Sequence, residues 1–366
     1  MDRHTLLFRH APRIVSASSI VGRREKAGPL GRYFPHALKD DVFSQESFEK
    51  AERQMLQFVI ADAVRRAPAG KKFVDILLAG DLMNQIVSSS FAAREFTASF
   101  CGLYGACSTM AEALALGATF VDGGYAGQVV ACTGSHFGSV ERQFRFPLEL
   151  GTQRTPTAQW TVTGAGACLI GSSGNFPRIL SATLGKVVDY GISDANNMGA
   201  AMAPAARDTI LTHFEDTGTS PADFDAVVTG DLGKLGSEIL DDLCMEKGVA
   251  LGKIHFDCGA AIYSLEKENF QGGSGAGCSA SVFASFIYDR LMSGEWKRIL
   301  FVATGALLSP VTTQQGESIP CVAHAVCVQG PARPRAKAGK SPAQTAAGKA
   351  KAPGPRTGKS RADNIK

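Results

Sequence analysis

Residues 75–82, DILLAGDL, return as residues 225–232, DAVVTGDL, at an offset of 150. Each copy reads as a short buried parallel strand that ends in Gly-Asp and follows a helical pattern, Ser47–Arg66 in the first and Ala205–Asp216 in the second. A second pair follows. Gly-Ala-Cys107-Ser108 opens the helix STMAEALALGATFVDGG, which leads into the strand QVVACTG, and Ala-Gly-Cys278-Ser279 opens ASVFASFIYDRLMSGE, which leads into RILFVATG. From Cys107 to Gly134 is 27 positions, as it is from Cys278 to Gly305. Thr163–Cys168 (TGAGAC) and Val322–Cys327 (VAHAVC) make a third pair near the ends of the two copies. Three matched pairs in one order, alternating strand with helix, predict two fused α/β halves related by a pseudo-twofold. The expected boundaries are 1–177 for the first half and 178–330 for the second.

The two repeated helices are apolar on most faces: Met110, Ala113, Leu114, Leu116 and Phe120 in one, Val282, Phe283, Phe286, Ile287 and Leu291 in the other. A helix that is apolar nearly all round belongs inside a protein, so both are expected between two sheets, with further helices outside. That is a five-layer αβαβα arrangement, the one found in thiolases and ketosynthases.

Of the 366 residues, 45% are hydrophobic, enough for a large core. The first residues carry no apolar run of signal-peptide length, and no later stretch has the length of a membrane span, so the expectation is a soluble, cytosolic chain. The nine cysteines sit mostly in apolar segments without CxxC pairs, which fits a reducing compartment and speaks against a thiolate metal site. The net charge of +4 is unevenly divided. Residues 331–366 hold ten Lys or Arg against Asp363, so the tail is +9 and the rest is −5. Rich in Ala, Gly, Pro and Lys, the tail is expected to be disordered, and reads either as a solubilising extension or as a tether to anionic lipid or nucleic acid.

Eight segments resemble the stage V sporulation protein AD family: GPLG (28–31), AGDLMNQ (79–85), LYGACSTMAEA (103–113), ERQFRFP (141–147), MGAAMAPAARDTI (198–210), TGDLGKLGS (229–237), GGSGAGCSA (272–280) and ATGALLSP (303–310). The resemblance implies a thiolase-like fold and binding of pyridine-2,6-dicarboxylate (dipicolinate), with no cofactor. It also implies work beside membrane proteins of the same sporulation operon, at the cytoplasmic side of the inner forespore membrane, in moving dipicolinate into the developing spore. A homodimer is expected by the same resemblance, with QVVACTGS (128–135) at the paired sheet edge, and no nucleic-acid partner.

Cys107 stands where a condensing enzyme of this fold keeps its nucleophile. At a helix amino end the dipole and the orphan N–H groups favour a thiolate and part of an oxyanion hole. Its partners are not evident. Such enzymes add a His and a second His or Asn at the ends of second-half elements, whereas VVTGDL ends in Asp231 and the turn Gln271–Gly275 has neither. An ionised aspartate accepts but cannot donate, so it repels an oxyanion. Cys107 is therefore read as a pocket-lining thiol, or else as the nucleophile of an acyltransferase with an unusual base. His136, His255 and His324 are the candidate substitutes.

Ligands in layered α/β folds collect beyond the carboxyl ends of parallel strands. That rule gathers Asp81, Asn84, Cys107, Ser135, His136, Asp231 and the glycine turn around Gly273. One carboxylate of dipicolinate is expected at the helix amino end, Cys107 and Ser108, and the other on Arg142 and Arg145, which read equally as structural ion pairs. Asp81 and Asp231 serve as helix caps or, if the ligand arrives as its calcium chelate, as oxygen contacts to the ion.

Overall fold

The structure, a computed structural model, describes residues 4–68, 73–144, 154–265 and 270–332. The tail from residue 333 onward, read from composition as disordered, lies outside them.

Ten strands carry the architecture. The first half contributes β1 (Arg13–Val21), β2 (Ile76–Gly80), β3 (Ser99–Gly102), β4 (Gln128–Ser135) and β5 (Gly164–Gly171). The second contributes β6 (Arg178–Leu184), β7 (Ala226–Thr229), β8 (His255–Asp257), β9 (Arg298–Ala306) and β10 (Cys321–Gln329). Their orders are β3-β2-β4-β5-β1 and β8-β7-β9-β10-β6. In the first, β2 runs parallel to β3 and β4, while β5 is antiparallel to β4 and β1. The second repeats this strand for strand, and the sheets join at the Arg13–Arg178 pair. Each repeated strand follows an aspartate with the same task. Asp75 accepts from the backbone N–H groups of Gly127 and Gln128, and Asp225 from those of Lys297 and Arg298, pinning the turns that lead into β4 and β9.

The helices are α1 (Phe48–Arg66), α2 (Val87–Ala93), α3 (Thr109–Asp122), α4 (Phe137–Phe144), α5 (Met198–Thr217), α6 (Gly233–Met245) and α7 (Ala276–Val282), which continues through a π turn (Phe283–Ile287) into α8 (Tyr288–Ser293). Ser47 caps α1 by accepting from the Lys50 amide, and Ala67-Pro68 ends it, since the residue before proline is disfavoured in helix. Met55, Leu56, Val59, Ile60 and Ala63 give α1 one apolar face, which lies on the first sheet. Met110, Ala113 and Leu114 of α3 are wholly buried, and α3 touches both sheets. Val282, Phe283, Ile287 and Leu291 are buried likewise. Each leucine-sized side chain buried this way stabilises the fold by about 1.5–3 kcal/mol. The layers are thus α1 and its neighbours, the first sheet, α3 with α7 and α8, the second sheet, and α5 with α6. Gly166 lets α7 lie close against β5, since a Cβ there would fall on the Ala280 carbonyl oxygen.

Two sequence expectations change. The second-copy helix starts at Met198 rather than Ala205, because the small, mostly buried run before Pro204 packs tightly enough to hold two turns ahead of a residue that normally interrupts a helix. The strand QVVACTGS is not an edge: as β4 it lies between β2 and β5. Its burial along nearly the whole length is that of a strand covered on both faces, and such strands sit mid-sheet. The free edge of the first sheet is the short, exposed β3. Among the described residues no helix is long and apolar enough to cross a membrane.

Candidate functional site

Cys107 sits on an elbow. Ala106 adopts a left-handed φ of 51°, rare for a residue with a side chain, and Ala106–Ser108 form one 3-10 turn that feeds into α3. Side chains brace the turn: Ser108 Oγ donates to the Gly105 carbonyl oxygen at 2.6 Å and Thr109 Oγ1 to that of Ala106 at 2.7 Å. Gly305, near the end of β9, packs on the same turn, and a Cβ there would fall on the Gly105 carbonyl oxygen.

The thiol faces a carboxylate. Burial pushes the Cys107 thiol well up from its ordinary range, and the neighbouring Asp231, to which it donates a hydrogen bond, pushes it further. Asp231 is itself buried, which pushes its carboxyl up to about 6 against the opposing pull of its donors. Besides the Cys107 thiol, those donors are the Gly275 amide at 2.9 Å, Ser274 Oγ at 3.1 Å and Thr304 Oγ1 at 3.1 Å. The arrangement keeps the thiol protonated.

A cavity of about 470 Å³ opens in front of Cys107. Tyr104 and Ala106 continue the elbow wall, Val140, Glu141 and Phe144 of α4 face them, and Ser274 and Gly275 form the floor. Asn196 and Met198 at the start of α5, with residues 306–310, close another side. The lining is mainly apolar, and among the described residues its one charged member is Glu141. That carboxylate pairs with Arg154 at 2.9 Å and accepts from Thr161 Oγ1 at 2.8 Å. Arg154 lies over the Trp160 ring, 4.4 Å from its centre, and donates to the Gln159 carbonyl oxygen. Gln159 Nε2 in turn donates to the carbonyl oxygens of Asp231 and Gly273, while its buried Oε1 has no partner among the described residues.

Of the residues selected from sequence, Cys107 lines the cavity and Asp231 stands directly behind it. The glycine turn contributes Ser274 and Gly275, whereas Gly273 is held in a two-residue strand pairing with Trp160. Ser108 is spent on the elbow. Ser135 donates to the Val162 carbonyl oxygen and accepts from the Gly277 amide. His136 is buried, bonds the Asp41 carbonyl oxygen through Nε2 at 2.6 Å, accepts the Gly138 amide on Nδ1 and stacks on Phe48. Burial lowers its pKa. Asn84 is exposed, its amide bonded to Gln143, and Arg142 pairs with Glu49 across from α1. Arg145 lies outside the described residues. Asp81 holds the turn after β2 by accepting from the amides of Met83 and Ser89, whereas Asp231 accepts from the Gly275 amide, so the two serve different turns. Among the described residues no group of three or more His, Cys, Asp or Glu converges. His255 is bonded to Asp241 and Thr229, and His324 to the Gly185 amide, both as parts of the fold. Tyr104, Glu141, Gln159 and Thr161 escaped the sequence reading. In ERQF the arginines are the obvious partners for an anion, but the charged residue that lines the cavity is Glu141, and the Arg154 that pairs with it lies outside every motif.

The family described as stage V sporulation protein AD (SpoVAD) matches residues 2–329. The chain belongs to that family. The stage V sporulation protein AD of Bacillus subtilis (strain 168) is 44% identical over 324 residues, 88% of this chain and 96% of that protein. Among solved structures, an OleA variant from Xanthomonas campestris superposes with a TM-score of 0.57 at 13% identity, covering 88% of this chain and 99% of the other. FabH from Xanthomonas oryzae pv. oryzae gives 0.54 at 13%, over 88% and 100%. A 3-oxoacyl-[acyl-carrier-protein] synthase III from Aquifex aeolicus gives 0.53 at 13%, over 87% and 99%. At such identities these likenesses speak for the fold alone, and the thiolase-like five-layer expectation holds.

Proposed function

We propose that this sporulation protein binds dipicolinate in the cavity before Cys107 and takes part in its uptake into the developing spore, beside membrane proteins of the same operon, without condensation chemistry. The observation that carries the reading is the pairing of Cys107 with Asp231. A condensing thiol needs a cationic or neutral donor beside it, whereas a buried carboxylate holds the proton on sulfur and repels a developing oxyanion. What remains is a cavity within the size range of small-molecule sites, with the amino end of α3 at one wall and the polar side chains of Tyr104, Asn196 and Gln314 around it.

Charge sharpens the ligand. Glu141 is balanced by Arg154 and no Lys or Arg is among the described lining residues, so a bare dianion would lose its hydration without gaining a cation. The neutral calcium chelate suits this wall better. Titration calorimetry with dipicolinate, with and without calcium, is expected to give tighter binding with the ion; no heat under either condition sinks the reading. Acyl thioesters followed by intact mass test the alternative acyltransferase, for which an adduct on Cys107 that turns over is the signature. Cys107→Ser is expected to keep most of the affinity and Cys107→Phe to lose it. A Ser variant that binds normally but leaves spores without dipicolinate would reopen the enzyme reading.

A homodimer joined through the exposed edge of β3, in place of the interior β4, completes the proposal.

A further inference from the structure

The duplication walls the cavity twice with the same connection. In the first half the chain between β4 and β5 supplies Val140, Glu141 and Phe144, and in the second half the chain between β9 and β10 supplies Leu308, Pro310, Thr313 and Gln314. Both connections join antiparallel neighbours in sheets of matching order, so the pseudo-twofold brings both to one cavity.

The two walls are held very differently. The first is fastened along α4: Ser139 Oγ donates to Glu52 at 2.6 Å, Gln143 Nε2 to the Leu82 carbonyl oxygen at 3.1 Å, the Asn84 amide to Gln143 Oε1 at 2.9 Å, and Arg142 pairs with Glu49. These bonds tie α4 to α1 and to the turn after β2. The second wall is fastened at its base. The Leu307 amide donates to the Pro320 carbonyl oxygen at 2.8 Å, the Ile319 amide to that of Ile192 at 2.8 Å and Ser318 Oγ to Asp189 at 2.5 Å, while Leu308 packs into the core of the second half. Between these ties, among the described residues, the hydrogen bonds of residues 309–317 stay inside the segment. Ser309 Oγ caps the short helix Pro310–Gln314 by accepting the Thr312 amide at 3.1 Å, and the amides of Thr313, Gln315, Gly316 and Glu317 close the turns that follow.

Little else restrains the segment. No residue of the helix is buried, Val311 and residues 313–317 are exposed, and no other element packs broadly against it. A stretch with its own hydrogen bonds and little buried area opens as a unit at low free-energy cost. Gly316 supplies freedom at one end: its φ is 76°, and a Cβ there would meet nothing within 4 Å.

We propose that residues 309–317 form a lid, which swings between Leu308 and Ser318 to admit a small ligand to the cavity while α4 remains the fixed wall. What passes the lid rests on the dipicolinate proposal; the movement does not.

The experiment uses full-length protein without dipicolinate, so a failure of the ligand reading leaves its result standing. Cys107, inside the cavity, and Cys101, exposed, are alkylated with N-ethylmaleimide and with a bulky fluorescein maleimide, and the rates are followed by peptide mass. The ratio of bulky to small rate at Cys107 cancels changes in thiol reactivity and reports how wide the entrance opens. Asp189→Ala, which frees Ser318 at the base, and Ser309→Ala, which removes the cap, are each expected to raise that ratio at least threefold with Cys101 unchanged. Glu49→Ala, which frees α4 from its ion pair, is expected to leave it as in the wild type. The proposal is overturned if neither lid variant raises the ratio, or if Glu49→Ala raises it as much. Should Cys107 react too slowly to follow, deuterium exchange decides: amides of 309–317 are expected to exchange at least tenfold faster than those of 137–144, and equal protection overturns the lid.

Discussion

Ionising Asp231 costs free energy because burial strips its carboxylate of more hydration than its hydrogen-bond donors replace. The folded pKa of about 6 lies above the roughly 3.9 of an unfolded aspartate, so the folded chain holds this proton more tightly. Stability from this group is fully present below about pH 4 and is lost as pH rises through 6, a change of about 3 kcal/mol at most. His213 and His324, lowered to about 4 by burial, act with the opposite sign and lose stability as pH falls. Comparing wild type with Asp231→Asn isolates the aspartate. The variant is expected to be at least as stable at pH 7.5, with the difference in urea midpoints shrinking as pH falls through 6 and gone by about pH 4; a pH-independent difference refutes the account. The same variant removes the charge that keeps Cys107 protonated. Alkylation of Cys107 at pH 8, followed by peptide mass with exposed Cys101 as the internal reference, should speed up roughly tenfold for each unit by which the thiol pKa falls. Cys107 was legible in the sequence because a thiol after Gly-Ala at a helix start is a local pattern. Glu141 and Gln159 were not, since what aims them at the cavity is Arg154 and the backbone of Asp231 and Gly273, partners brought together only by the fold.

The helices and strands of the repeat were the most legible elements, because the apolar periods of α3 and of α7 with α8 fix burial on all faces and burial fixes their layer. The edge was misjudged for a related reason: apolar content reports how deeply a strand is covered, and β4 is apolar because it is central, whereas β3 is marked only by being short and exposed. The elbow before α3 depends on an element far away in sequence. Gly305 of β9 leaves room for the Gly105 carbonyl and touches the Ser108 turn. Gly305→Ala is expected to displace the elbow, costing about 1–3 kcal/mol in overpacking and at least tenfold in dipicolinate affinity. A Cβ on the matching residue of the first half, Gly134, would meet Leu56, Ala165 and Gly164 at 3.0–3.2 Å, away from the elbow. Gly134→Ala should therefore cost stability with little loss of affinity. Equal loss of affinity in both variants, measured by calorimetry, would show that Gly305 acts through general destabilisation alone.

On the scale of the molecule, the duplication predicts its own consequence for assembly. Two sheets of matching order end in two free edges, β3 and β8, and the copies have diverged there. Strand β8 is half-buried and its His255 is held by Asp241 and Thr229, whereas β3 is exposed along its whole length. Around β3 stand Phe91, Phe100 and Tyr104, large apolar side chains that a solitary molecule would leave in water. Tyr104 also lines the cavity, so a second copy seated on this edge would cover one side of the ligand site as well as pair the strand. Sedimentation velocity at micromolar concentration is expected to give a dimer. Phe100→Glu places like charges face to face across the twofold and should give monomer with an unchanged circular dichroism spectrum. Its dipicolinate affinity should fall if the partner helps to wall the cavity. A wild-type monomer under these conditions refutes the dimer, and a Phe100→Glu variant that stays dimeric would move the contact to another face.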